Sequence, residues 1–249
     1  MELWGITDCG KKRKENQDVF RILQDDNNDV AVLVVCDGIG GARAGNIASS
    51  LAADVFVKQI ANFLETSDDP TEIAKEVSQA VCSANKVVYE KSKQSGDYFG
   101  MGTTLTAVVS TNTGEVIANI GDSRAYHVTK TEIKQITRDH TVVEEMVKRG
   151  DITRLEAKHH PKKNLITRAL GTSVEEIPDI FTLNITSGEY ILLCSDGLSD
   201  IILDSEFLQV LQHGAGVKKS CKKFIEMALE RGAPDNVTAV LFKKTSKLR

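Results

Sequence analysis

The sequence predicts an α+β protein in which antiparallel sheets are covered by helices. Three observations carry this. Short apolar, β-branched runs bounded by turn residues read as strands. Two long segments carry apolar residues at helical spacing instead. The order is strands, a helical pair, more strands and then terminal helices, which is not the βαβ alternation of a parallel sheet.

The elements follow in order. Residues 30–36 form an apolar run with Val30, Val32, Leu33, Val34 and Val35. Residues 44–64 carry Ile47, Leu51, Val55, Ile60 and Leu64 along a helical stripe, and residues 71–94 carry Ile73, Val77, Val81 and Val88. Asp69-Pro70-Thr71 supplies the cap and the N-terminal proline for the second helix. Runs 104–110 and 114–120 read as strands, and Thr111-Asn112-Thr113-Gly114 between them as a hairpin turn. Further strands are expected at 124–128, 190–194 and 237–243, and further helices at 205–212 and 217–231. With four prolines, no low-complexity stretch and no internal repeat, nothing reads as a linker. One domain spanning 1–249 is expected.

Composition narrows the functional class. The 249 residues suffice for a sizeable core, and 41% hydrophobic with 27% charged residues is ordinary for a globular chain. The net charge of −4 lacks the basic excess of a nucleic-acid binder. Lys11, Lys12, Arg13 and Lys14 form a basic run, which by itself reads as a solvated face. No apolar run reaches the roughly 18–20 residues that span a bilayer, and the N-terminus has no signal-peptide pattern. The five cysteines are odd in number and lack CxxC spacing, so neither a disulfide framework nor a zinc site is expected, and a reducing cytoplasm is. Cys36 and Cys194 sit in apolar runs and read as small buried core residues.

A repeated local design stands out. Val32 to Cys36 leads into Asp37-Gly38, and Val116 to Ile120 into Gly121-Asp122-Ser123. Ile191 to Ser195 leads into Asp196-Gly197, and Asp235-Asn236 precedes the run that begins at Val237. One Asp-Gly at a strand end is a turn. Several, with no matching set of Lys or Arg, describe carboxylates that repel one another unless protons or cations intervene. Oxygen-only donors suit hard ions such as Mg²⁺ or Mn²⁺ rather than zinc. Residue pattern alone therefore indicates an acidic, hard-metal site, for which phosphate-ester hydrolysis is a reasonable chemistry.

The stretches around these residues resemble the PP2C, or PPM, phosphatases in their bacterial form. Thr7-Asp8-Cys9-Gly10 through Asn16-Gln17-Asp18 is similar to the family's opening motif, and Val35-Cys36-Asp37-Gly38-Ile39-Gly40-Gly41 to its central metal motif. Met101-Gly102-Thr103-Thr104-Leu105, Gly121-Asp122-Ser123-Arg124-Ala125-Tyr126 and Asp139-His140-Thr141 follow in the family's order. Ile166-Thr167-Arg168-Ala169-Leu170-Gly171, Ser195-Asp196-Gly197-Leu198-Ser199-Asp200 and Asp235-Asn236-Val237-Thr238 complete the match over nearly the whole chain.

The resemblance implies an α-β-β-α sandwich of two antiparallel sheets flanked by helices, with a mobile flap near 141–165 that influences substrate choice. It implies a metal-dependent protein serine/threonine phosphatase with two or three divalent cations, Mn²⁺ or Mg²⁺. Arg13 and Asp37 are then the candidate catalytic residues: Arg13 binds the substrate phosphate and Asp37 bridges two metals. Asp196 and Asp235 complete the first metal's ligands, the Gly38 carbonyl binds the second with Asp18 acting directly or through water, and Asp122 holds a third with Asp196 and Asp200. Implied partners are phosphorylated proteins, including a bacterial Ser/Thr kinase and its targets, for a monomeric cytoplasmic enzyme. A phosphoprotein-binding pseudophosphatase and a phosphatase dedicated to an anti-sigma-factor antagonist are the alternatives. The match departs at Ile39, where eukaryotic members often carry a proposed acid histidine, and at Ala42 and Asn46, where bacterial members commonly carry His and Glu. His140, His159 and His160 read as structural or surface residues.

Overall fold

The structure is a computed structural model that describes residues 1–25, 27, 29–40, 44–67, 69–214 and 216–245. The chain opens with strands β1 (Glu2–Asp8), β2 (Asp18–Asp25) and β3 (Val30–Ile39), followed by the helices α1 (Ala44–Leu64) and α2 (Pro70–Ser92). Strands β4 (Gly102–Thr103), β5 (Leu105–Thr111), β6 (Gly114–Ile120), β7 (Arg124–Val128) and β8 (Ile133–Gln135) come next. The short helices α3 (Val142–Arg149) and α4 (Arg154–His159) fill the flap. Then come β9 (Asp179–Leu183), β10 (Tyr190–Cys194), α5 (Asp196–Ser199), α6 (Asp204–Gln212), α7 (Val217–Glu230) and β11 (Val237–Lys243).

The strands make two antiparallel sheets, ordered β1-β11-β10-β7-β8 and β2-β3-β5-β6-β9, with β4 paired to β3. Alternation of side chains along each strand sends one set to each face. From β3, Ala31, Leu33 and Val35 face Ile191, Leu193, Val240 and Phe242 of the other sheet, and this forms the central core. The alternate residues Val32, Val34 and Cys36 face outward and are covered by α1 and α2 through Ala48, Ala52, Phe56, Val77 and Val81. On the other sheet, Leu192, Cys194, Ala239 and Leu241 are covered by Phe207, Leu211, Phe224 and Ile225 of α6 and α7. Phe207 and Phe224 meet edge to face with ring centroids 5.0 Å apart, a favoured aromatic geometry. The layers are therefore α-β-β-α, as expected.

Strands β6, β7, β10 and β11 and helix α1 lie at their expected limits, and the hairpin pairs Thr111 with Gly114. Strand β3 runs on past Cys36 to Ile39, because Asp37 pairs with Asp18 and Gly38 with Thr103. Helix α2 starts where Asp69 accepts from the backbone N–H of Thr71 and Glu72, with Pro70 at the first helical position. The flap carries more helix than its polar sequence suggests. Thr141 caps α3, Gly150 ends it in the left-handed region, and Thr153 with Glu156 makes a reciprocal cap for α4. Helix α1 is long and apolar enough, at a mean hydropathy of 1.2, to cross a membrane by length and composition. That corrects the expectation that no such segment exists; in the fold its apolar face packs on the sheet and on α2.

Candidate metal centre

Four carboxylates reach one cavity because strands end there. Asp37 lies near the end of β3, Asp122 in the turn between β6 and β7, Asp196 just after β10 and Asp235 just before β11. All four line a cavity of about 510 Å³, together with Arg13, Lys14, Gly38, Ile39, Thr104, Asn164 and Ile166.

Backbone hydrogen bonds fix this convergence. The Asp37 N–H donates to Thr104 Oγ1 at 2.8 Å, and its carbonyl accepts from Thr103 Oγ1 and from the Thr104 N–H, both at 2.9 Å. The main chain at Asp37 is thus satisfied, and its carboxylate is left to the cavity. Thr104 Oγ1 also meets Ser123 Oγ at 2.8 Å, which ties β5 to the Asp122 turn. His140 brackets that turn: the Gly121 N–H donates to its Nδ1 at 3.0 Å and its own N–H donates to the Gly121 carbonyl at 2.9 Å. Asn236 holds the loop that carries Arg13. Its Nδ2 donates to the Cys9 and Glu15 carbonyls, and its Oδ1 accepts from the Gln17 N–H.

Two glycines are required by contact rather than by backbone angle. A Cβ on Gly38 would strike the Gly45 carbonyl oxygen, and one on Gly197 would strike the Asn236 carbonyl oxygen. The second contact is what lets the Asp196 and Asp235 segments touch.

Asp18 pairs with Asp37 across β2 and β3 and is buried, 4% exposed. Its Oδ2 accepts from Ser195 Oγ and Thr238 Oγ1, both at 2.6 Å, while Oδ1 has no hydrogen-bond partner. Oδ1 of Asp196 is likewise buried and unpartnered. Orphaned acceptors of this kind are costly, and a cation is the simplest partner for carboxylate oxygens. The titration of the group agrees. Burial, and then the neighbouring acids, push Asp18 up to about 7, Asp122 up to about 8 and Asp196 up to about 6. Burial raises Asp37 well above its ordinary value, with Asp18, Asp196, Asp122 and Asp235 adding to the rise. Acids that resist ionisation because they are buried and because they face one another are what a bound cation reverses. Among the described residues no three Asp, Glu, His or Cys side chains already form a closed metal cage.

Not every expected site residue lies in the cavity. Arg13, Asp37, Gly38, Asp122, Asp196 and Asp235 line it; Asp18 and Asp200 do not. Asp200 is exposed and its Oδ2 accepts from Lys163 Nζ of the flap at 2.7 Å, although its charge still raises Asp196. Arg13 Nη2 donates to Asp235 Oδ2 at 2.7 Å from a side chain that is 57% exposed.

Residues 7–241 match the Protein phosphatase 2C family. The serine/threonine phosphatase stp of Listeria welshimeri is 32% identical over 241 residues, 96% of this chain and 94% of that protein. Among solved structures, the Mycobacterium tuberculosis serine/threonine phosphatase PstP/Ppp superposes with a TM-score of 0.86 at 34% identity, over 98% of this chain and 99% of that one. The catalytic domain of PstP in complex with two manganese ions superposes with a TM-score of 0.84 at 33% identity, covering 98% of each chain. The chain belongs to the protein phosphatase 2C family. It is a metal-dependent phosphoprotein phosphatase.

The family's cofactors, divalent cations, fit what is present: an all-oxygen donor set, mutually repelling acids and two orphaned acceptors in one place. Sequence reasoning quoted but assigned no role to Thr103, Thr104, Ser195, Asn236 and Thr238. Ser195 and Asn236 stand beside an acid in the sequence, but Thr103, Thr104 and Thr238 do not, and their hydroxyl contacts join segments far apart in the chain. Of the departures, Ile39 lines the cavity and Asn46 is exposed on α1, accepting from Ser50 Oγ at 3.4 Å. Gly41 and Ala42 lie outside the described residues. His140 holds the Asp122 turn and does not line the cavity, nor do His159 and His160.

Proposed function

We propose that Asp37, the Gly38 carbonyl, Asp196 and Asp235 hold a pair of cations at the cavity floor, with Asp18 beneath them and Asp122 toward a further cation. The observation that carries this is the pair of orphaned oxygens on Asp18 and Asp196, within a set of acids whose ionisation is suppressed first by burial and then by one another. The enzyme hydrolyses phosphoserine and phosphothreonine in proteins and takes Mn²⁺ or Mg²⁺. When bound, such cations supply Lewis acidity and bring the pKa of water toward neutrality.

The chain's own residues do the rest. Thr103 and Thr104 hold the Asp37 backbone so that the carboxylate keeps one orientation. Ser195 and Thr238 orient Asp18 by two short bonds to one oxygen, which leaves the other directed away from them. Arg13 stands at the cavity wall on an exposed side chain, and its planar fork suits two phosphate oxygens. Asp235, which would be among the residues that hold the cations, restrains it by accepting from Nη2 at 2.7 Å. Ile39 has no proton to give the leaving group. We assign Asp200 to the same acidic group through its effect on Asp196, with Lys163 as its partner in the absence of a cation.

The partners are phosphorylated proteins, among them a Ser/Thr kinase and its targets, and the enzyme acts in the cytoplasm as a monomer. Residues 1–249 act as one domain, since the central core draws on strands from both ends of the chain. The decisive experiment is hydrolysis of a phosphothreonine peptide with Mn²⁺, with Mg²⁺ and with chelator. Cation-dependent release of phosphate is expected; turnover that persists in chelator, or no turnover at all, would overturn the assignment.

A further inference from the structure

Two basic segments, far apart in sequence, border the acidic cavity. Lys11, Lys12, Arg13 and Lys14 are an exposed run in the loop between β1 and β2, and Arg13 and Lys14 reach the cavity wall. The flap contributes Asn164 and Ile166 to the same wall. Immediately before them stand the exposed Lys158, Lys162 and Lys163, with His159 and His160 between. The turn that joins them is tight, the Lys163 N–H donating to the His160 carbonyl at 3.0 Å. Lys163 is bonded to Asp200, whose own N–H donates to the Asp196 carbonyl at 2.8 Å, so the flap's basic end lies against the acidic group itself.

These charges exceed what the cavity uses. Arg13 and Lys163 pair with its acids, but Lys11, Lys12, Lys14, Lys158 and Lys162 enter no ion pair among the described residues. Positive charge gathers here although the chain as a whole carries −4. A basic run is ordinarily a solvated face, but here one run places Arg13 and Lys14 on the cavity wall, and the other is anchored beside it by Asn164 on the wall and by Lys163 bonded to Asp200. A phosphate monoester would be met by Arg13 and the cations; Lys14 stands on the cavity wall, and Lys11, Lys12, Lys158 and Lys162 lie outside the lining, on the segments that flank it.

We infer that the cleft selects phosphorylated segments flanked by acidic residues, held by Lys11, Lys12 and Lys14 on the β1–β2 loop and by Lys158 and Lys162 on the flap. The inference presupposes the phosphatase activity and specifies its substrate class. Exposed contacts of opposite charge are each worth roughly 1.5- to 5-fold in affinity. Two of them, with the steering that a basic rim adds, give about five- to tenfold in kcat/KM at low ionic strength, and salt erodes the gain.

The test compares matched phosphothreonine peptides whose flanking residues are Glu, Ala or Lys, with Mn²⁺ present, at about 50 mM and about 0.5 M salt. Wild type is compared with Lys11→Glu/Lys12→Glu, with Lys158→Glu/Lys162→Glu, and with the same positions changed to Gln in case reversal of charge harms folding. Turnover of p-nitrophenyl phosphate, which has no flanks, reports on the catalytic centre alone. The expected result is a five- to tenfold preference of wild type for the Glu-flanked peptide, on the scale of two exposed charge pairs, falling below about twofold at high salt. The Gln variants lose the preference and the Glu variants invert it, while p-nitrophenyl phosphate turnover stays unchanged. Equal treatment of Glu- and Ala-flanked peptides by wild type, or a preference that survives in the Gln variants, overturns the inference. Failure of wild type on p-nitrophenyl phosphate and on every peptide would instead remove the phosphatase activity beneath it.

Discussion

Replacing Asp18 by Asn should raise the melting temperature of the metal-free enzyme while weakening its response to metal. Asp18 is buried opposite Asp37, with one oxygen bonded to two hydroxyls and the other unpartnered. Burial, together with the charges of Asp196 and Asp235, lifts its pKa from 3.8 to about 7. The folded state therefore holds a proton that the unfolded chain releases near its ordinary value of about 3.9. For a raised acid the native state binds more protons, so the stability it contributes is complete below about pH 4 and is lost as pH rises through about 7. About three pKa units, at roughly 1.4 kcal/mol each, make the cost of ionising Asp18 in the metal-free fold about 4 kcal/mol.

Asn removes that cost. Its oxygen can still accept from Ser195 and Thr238, but its amide N–H takes the place of the unpartnered oxygen. Leaving that donor unmatched costs roughly 1–3 kcal/mol. The net gain is about 2 kcal/mol above about pH 8, or roughly 4–8 °C in a domain of this size. At about pH 5 the wild-type carboxyl keeps its proton in the fold and the gain disappears. Thermal melts in chelator at both pH values, repeated with Mn²⁺, measure all of this. Mn²⁺ should raise the wild-type melting temperature more than the variant's, because binding to the native state alone stabilises it. A metal-free Asp18→Asn protein that melts at or below wild type at about pH 8 would refute the account of Asp18 as a carboxylate awaiting a cation.

The remaining predictions concern catalysis and packing. Asp37→Asn should lose nearly all turnover with Mn²⁺ and lower the metal bound in calorimetry, since it removes a charge at the centre of the acidic group; near-normal activity would sink its role. Arg13→Ala should raise KM for a phosphopeptide about tenfold with a smaller change in kcat, as expected for loss of phosphate binding. A fall in kcat at constant KM would move Arg13 to the transition state instead. Gly197→Ala should destabilise the fold by roughly 2 kcal/mol or more in urea unfolding, because its Cβ meets the Asn236 carbonyl and must push the Asp196 and Asp235 segments apart. An unaltered unfolding midpoint would show that this contact relaxes freely.

Apolar pattern alone determined the buried elements of this protein. Strands β3, β5, β6, β7, β10 and β11 are interior strands, and their mostly apolar runs, interrupted at Glu115, Asn119, Arg124 and His127, mark them as buried. Strands β1, β8, β2 and β9 escaped that reading, and they are the four sheet edges. An edge strand is covered on fewer sides and can carry polar residues such as Arg21, Lys134 and Thr182, so its sequence loses the apolar signature. The acids were legible for a similar reason: Asp at the end of an apolar run conflicts with its surroundings, and that conflict marked Asp37, Asp122, Asp196 and Asp235. Only the tertiary structure decided that Asp18 is buried opposite Asp37 with an orphaned oxygen, that Asp200 is held by Lys163, and that the loop of Arg13 and Lys14 and the segment of Asn164 line one cavity. Those facts depend on the strand register and on where a loop and a flap come to rest, and residues 37 to 220 positions apart leave no local periodicity from which their meeting could be read.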